Sequence, residues 1–230
     1  VGTSNAALPT QNSGSIELTT GHAENGNSGD VRVSTGNSKM SSGSIIGRAG
    51  SSSEGGGGNV MLTAGDSVSS TGGSIQLHGG ISNLGSSGRI DILTPNSEST
   101  TSSGTITVTT GRSSAGSSGD IQVATGSSQE SAGSIVLETG DSANTQTSMS
   151  KPVISIKAGD SSTASGGNVN VMAGNSIGAG PSATGGDVLV ASGSAVETGG
   201  SVSVISGGSE TFSSGKIDIL TGSGTDSGSV

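Results

Sequence analysis

Gly58-Asn59-Val60-Met61-Leu62-Thr63-Ala64-Gly65 is the stretch on which the reading of this chain turns. Two glycines bracket an alternation that sets Val60 and Leu62 on one side of an extended backbone and Asn59, Met61 and Thr63 on the other. The same eight-place pattern (Gly, any, Ile/Val, any, Val/Leu/Ile, any, small, Gly) recurs fourteen times. The copies begin at Gly14, Gly29, Gly43, Gly58, Gly73, Gly88, Gly104, Gly119, Gly133, Pro152, Gly167, Gly186, Gly200 and Gly215. The third place is Ile or Val in all fourteen, and the fifth is apolar in thirteen, Gly47 being the exception. Pro152 and Pro95 each replace one bracketing glycine.

This regularity stands against a composition that points to disorder. Gly, Ser and Thr supply 119 of the 230 residues, while Ile, Leu, Val and Phe number only 43. Yet 27 of those 43 fall in the two apolar columns. β-Branched residues suit a pleated surface, and the bracketing glycines are expected to turn the chain with positive φ. No apolar period of 3.6 residues appears, so no helix is expected.

Segments start every 14 to 16 residues, with two intervals of 19, the kind of fixed period that marks a solenoid. The second place sorts them into two series. Odd segments read Ser15, Ser44, Ser74, Thr105, Ser134, Asn168 and Ser201 there; even segments read Asp30, Asn59, Arg89, Asp120, Val153, Asp187 and Lys216. Both long insertions, 141–151 and 175–185, follow odd segments. The expected fold is therefore all-β: a β-solenoid of about seven two-strand coils of about 30 residues each. Two opposed parallel seven-stranded sheets would enclose a thin aliphatic core, wound as one coil or as two interleaved ones. Residues 1–13 read as a lead-in or cap, 14–222 as one solenoid domain, and 223–230 as the start of a further repeat. A chain cut within a repeat reads as a piece of a longer array.

Chemistry is scarce. With no Cys, Trp or Tyr, disulfides, thiol redox and aromatic stacking of bases or sugars are excluded. Eight basic and 17 acidic residues give net −9, the wrong sign for a phosphate backbone, and no apolar run reaches membrane-span length. His22 and His78 have no convergent partners for a triad or zinc site. Gly55–Gly58 lacks the Lys-Ser/Thr and helix of a phosphate loop, and no Asn-x-Ser/Thr sequon occurs. Asn37, Asp66, Asn96, Asp141, Asp160 and Asn175 follow the eighth place; Asx-turns explain them better than a calcium ladder does. Asp30, Asp91, Asp120, Asp187 and Asp218 lack the groove a polysaccharide hydrolase needs, and most have a base nearby. Neither a catalytic residue, a metal nor a cofactor is expected.

Charge is unevenly spread. Outward places of the even series carry nine charges in 21 positions, whereas those of the odd series carry only Glu17, Arg48 and Glu138. The odd exterior is otherwise a weakly amphipathic, hydroxyl-rich face: Ser15, Thr19, Ser44, Ile46, Ser74, Gln76, Thr105, Thr107, Thr109, Ser134, Val136, Asn168, Ser201 and Ser203.

Runs such as Gly-Asp-Val-Arg-Val-Ser-Thr-Gly-Asn-Ser (29–38) and Gly-Asn-Val-Met-Leu-Thr-Ala-Gly-Asp-Ser (58–67) resemble the Gly/Ser/Thr-rich repeat proteins of marine microalgae, some of which bind ice. The resemblance implies a secreted or extracellular, non-enzymatic protein that adsorbs to ice through this odd face. Regular ice-binding solenoids display ranks of Thr-x-Thr, and only Thr105, Thr107 and Thr109 supply one here. The alternative is a structural or adhesive repeat module of a larger surface protein. Expected partners are an ice surface and neighbouring repeats of a longer chain, without nucleic acid or membrane.

Overall fold

The computed structural model describes residues 2–6, 12–97, 102–142, 152–178, 183–223 and 228. Among them there is neither helix nor strand, and no side chain is buried. The chain divides into two units, Val1–Ser118 and Gly119–Val230. The first contains the seven segments that begin at Gly14 through Gly104, the second the seven that begin at Gly119 through Gly215.

The expected all-β solenoid is therefore corrected. No sheet forms among the described residues, so there are no opposed walls and no dry seam between them. Ile121 and Val188, both expected inside, are 55% and 54% exposed. The accessible surface is 23080 Å² for a chain of 21.6 kDa. A compact protein of that mass exposes roughly 9,200 Å² and a fully unfolded one about 31,000 Å², so the exposed surface is nearer the unfolded value than the compact one. The physical reason is density of apolar side chains. Two per repeat of about fifteen residues must offset the ordering of the whole repeat, and the glycines add the largest backbone entropy of any residue.

The alternation nevertheless survives as local geometry. Each eight-place segment runs without a bend, and bends fall in the loops, as at 53–55, 68–70, 83–85 and 162–164. Third-place side chains are 48–66% exposed and fifth-place ones 63–77%, while the fourth-place Met61 and Leu189 stand at 81% and 87%. The period-two pattern thus writes an extended backbone with a slightly sheltered side.

A second correction concerns the glycines. No residue, glycine included, adopts positive φ among those described. Their recurrence has another cause, found where the loops close.

The exposed columns generate a direct test. Val123 is 72% exposed, so Val123→Asp places a charge in water and not in a core. The far-UV circular dichroism spectrum and thermal profile should match the parent. A large loss of ordered signal would restore a buried fifth-place column.

Candidate functional site

The structural feature repeated along the chain is a neck, where the end of one segment meets the start of the next. The N–H of the first-place glycine donates to the carbonyl of the preceding eighth-place glycine. This bond joins Gly58 to Gly50, Gly73 to Gly65 and Gly88 to Gly80 in the first unit. In the second it joins Gly167 to Gly159, Gly186 to Gly174, Gly200 to Gly193 and Gly215 to Gly207, and all seven bonds are 2.8–2.9 Å long. The insertion at 175–185 is closed by the same bond as the shorter loops.

The neck explains the seventh column. At every neck with this bond the seventh-place residue is Ala49, Ala64, Gly79, Ala158, Ala173, Ser192 or Ser206. Five of these (Ala49, Ala64, Ala158, Ala173 and Ser206) are half-buried, as are Thr94 and the loop residue Ala23, and no large apolar residue among those described joins them. Where the seventh residue is threonine, a hydroxyl contact can take over: Thr35 Oγ1 donates to the Gly43 carbonyl at 3.0 Å. Ser192 Oγ makes the equivalent bond to the Gly200 carbonyl at 3.1 Å.

The neck also explains the first-place glycine. A Cβ on Gly58 would lie 3.1 Å from Ala49 Cβ, and one on Gly167 would lie 3.1 Å from Ala158 Cβ. One on Gly73 would meet Gly65 N at 3.2 Å and Ala64 Cβ at 3.3 Å. The eighth-place glycines differ. Gly36, Gly50, Gly65 and Gly159 face open space at the Cβ position, and nothing in the structure explains them sterically. Pro95 at an eighth place fits that freedom. Pro152, at a first place, has no N–H and cannot form the neck bond, and it follows the other long insertion.

Inside the loops, serine does what was expected of Asp and Asn. Ser52, Ser82, Ser113 and Ser161 Oγ accept the N–H of Gly55, Gly85, Gly116 and Ala164, each at 2.9 Å. Ser67 and Ser209 do the same for Ser70 and Phe212. Ser38 and Ser128 accept from Met40 and Glu130, two residues on. These are hydroxyl turns that satisfy a bend's backbone donor. The signal was present in the sequence: serine occupies this tenth place in eleven of fourteen loops. Among the described residues no three His, Asp or Glu groups are placed to share a metal ion.

The expected odd-series face is exposed at every position, from Ser15 and Thr19 through Ser44, Ile46, Ser74, Gln76, Thr105, Thr107 and Thr109 to Ser134, Val136, Asn168, Ser201 and Ser203. No sheet holds these residues in a common plane. His78 Nε2 lies 3.4 Å from Gln76 Oε1, and His22 is exposed. The shallow concavity lined by Asp120, Ile121, Gln122 and Val123 is one side of a single segment, not a convergence of groups.

Among the described residues there are four ion pairs, each with its base on an even segment: Asp30–Arg32 at 2.7 Å, Arg89–Asp91 at 2.8 Å, Lys157 with Asp160 of the adjoining loop at 2.8 Å, and Lys216–Asp218 at 2.6 Å. Their segments are the second, sixth, tenth and fourteenth, a four-segment period finer than the alternation of odd and even. The intervening even segments carry Asp120 and Asp187 without a base on the same segment, and Asn59 in the third case. Each pair is exposed and contributes little to stability.

No family model, no curated protein and no solved structure matches the chain.

Two substitutions separate the parts of a neck. The neck at Gly88 differs from the alanine necks in bringing backbone against its seventh place: a Cβ on Gly79 would run into the Gly88 carbonyl oxygen, so Gly79→Ala should break the Gly88–Gly80 bond. The Gly88 amide should then show the steep temperature coefficient of a solvent-bonded proton. Ser161→Ala should leave the Gly167 amide unchanged but speed exchange of the Ala164 amide about fivefold, the effect of losing about 1 kcal/mol. Unchanged behaviour at Gly88 in the first variant would refute the steric account.

Proposed function

We propose that this chain is a non-enzymatic structural or adhesive repeat module of a larger extracellular surface protein. The observation that carries the reading is the neck, one backbone hydrogen bond closing one loop, repeated seven times with the same chemistry. Extended segments supply reach, and each closed loop withholds the length of its residues until its bond opens. A bond of this kind has a net worth of about 1 kcal/mol, so loops open singly and reversibly. Exposed Ser and Thr hydroxyls and a net charge of −9 keep so open a chain hydrated.

Stretching a single chain held at its ends tests this. The expected trace is a smooth extension, with loops of seven residues yielding increments of about 25 Å. A single cooperative rupture that frees most of the contour at once would contradict it.

A second reading, adsorption to ice through the odd segments, is favoured by the absence of ion pairs from the odd segments among the described residues. The odd exteriors keep hydroxyls and methyls with few charges to hold disordered water. This reading requires the ice lattice itself to align segments that no sheet aligns. Thr107→Tyr should then cut thermal hysteresis and recrystallisation inhibition, while Asp120→Tyr should not. A parent chain without either activity, or equal losses in both variants, would remove it.

A further inference from the structure

We propose that the charge-bearing segments beginning at Gly29, Gly88 and Gly215 each pair antiparallel with the same segment of a second copy of this chain. The proposal deepens the structural-module reading, and rests on it, by naming the partner.

Three observations carry it. The first is availability. None of these segments takes part in a ladder among the described residues, so each presents an unpaired extended edge, a template for another chain. The second is uncovered apolar surface. The third-place Val31, Ile90 and Ile217 are 56%, 52% and 48% exposed, on the side opposite the charges. The third is self-complementarity of charge. Asp30 and Arg32, Arg89 and Asp91, and Lys216 and Asp218 occupy the second and fourth places and form exposed ion pairs.

An antiparallel pair centred on the third place sets the second place of one copy opposite the fourth of the other. Acid then meets base at both positions, whether the segment reads Asp-x-Arg, Arg-x-Asp or Lys-x-Asp. In-register parallel pairing sets like against like, which is destabilising. Crossing the Gly29 segment antiparallel with the Gly88 or Gly215 segment also fails, because Asp30 would face Asp91 or Asp218. Such pairing therefore directs the Gly29 segment to its own copy. The contact is isologous, as a twofold dimer requires.

Sedimentation equilibrium of the whole chain, from micromolar to near-millimolar concentration, tests the proposal. The parent should dimerise reversibly. The triple variant Arg32→Asp, Arg89→Asp and Lys216→Asp should weaken Kd at least about tenfold, since each contact becomes acid against acid. A matched control with Lys39→Asp, Arg48→Asp and Arg112→Asp changes net charge equally but lies outside these segments, and should keep the parental Kd. Exchanging acid and base within each pair (D30R/R32D, R89D/D91R, K216D/D218K) should also keep it. A monomeric parent would overturn the proposal. So would a triple variant that associates like the parent, a control that weakens equally, or an exchanged variant as weak as the triple. Single-chain stretching is independent of pairing, so failure here with an unchanged force trace removes the partner and not the module.

Discussion

Scarce space for a side chain at the start of seven segments, those at Gly14, Gly58, Gly73, Gly88, Gly104, Gly167 and Gly200, is the constraint on which the repeat depends. Where the chain returns on itself, the incoming backbone passes within contact distance of the seventh-place residue it left behind. At Gly58, Gly73, Gly88, Gly104, Gly167 and Gly200 an added Cβ would meet a neighbour at 3.0–3.3 Å, and no described residue adopts a positive φ, so glycine is favoured there for its missing Cβ. The outgoing glycine has no such neighbour, which is why Pro95 can stand in its place. The small seventh residue is the other half of the same fit. Alanine, glycine and serine allow the backbone bond, and Thr35 offers its hydroxyl to the Gly43 carbonyl instead.

This geometry gives order without a core. Each neck fixes a short loop locally, and the serine turn within it satisfies a donor that the bend would otherwise leave to water. Neither interaction needs apolar burial, and the large side chains remain in solvent. The exposed ion pairs at two-residue spacing add charge pattern more than stability.

Much of the local design was legible in the sequence, and the long-range part was not. The eight-place columns located the extended segments, the glycines marked their ends, and Asp30, Arg32, Arg89 and Asp91 were read as neighbours on one side. Period-two alternation reports only that a backbone is extended; whether Val60 and Leu62 then find a partner sheet depends on how much apolar surface each repeat brings. At two large side chains per repeat that surface is sparse, as the overall composition warned. Positive φ was the wrong reason for a correct observation about glycine, because the crowding at Gly58 comes from Ala49, nine residues earlier. Asp66 and Asp160 are the chemically richer residues at these corners, yet the neighbouring Ser67 and Ser161 hydroxyls make the turns.

Residue-resolved amide hydrogen exchange on the whole chain tests the central claim most directly. The account predicts isolated protection at the amides of Gly58, Gly73, Gly88, Gly167, Gly186, Gly200 and Gly215, with the amides between Asn59 and Thr63 exchanging near the rate of free peptide. Protection running through the Ile and Val columns of successive segments, with no distinction at those glycines, would contradict it.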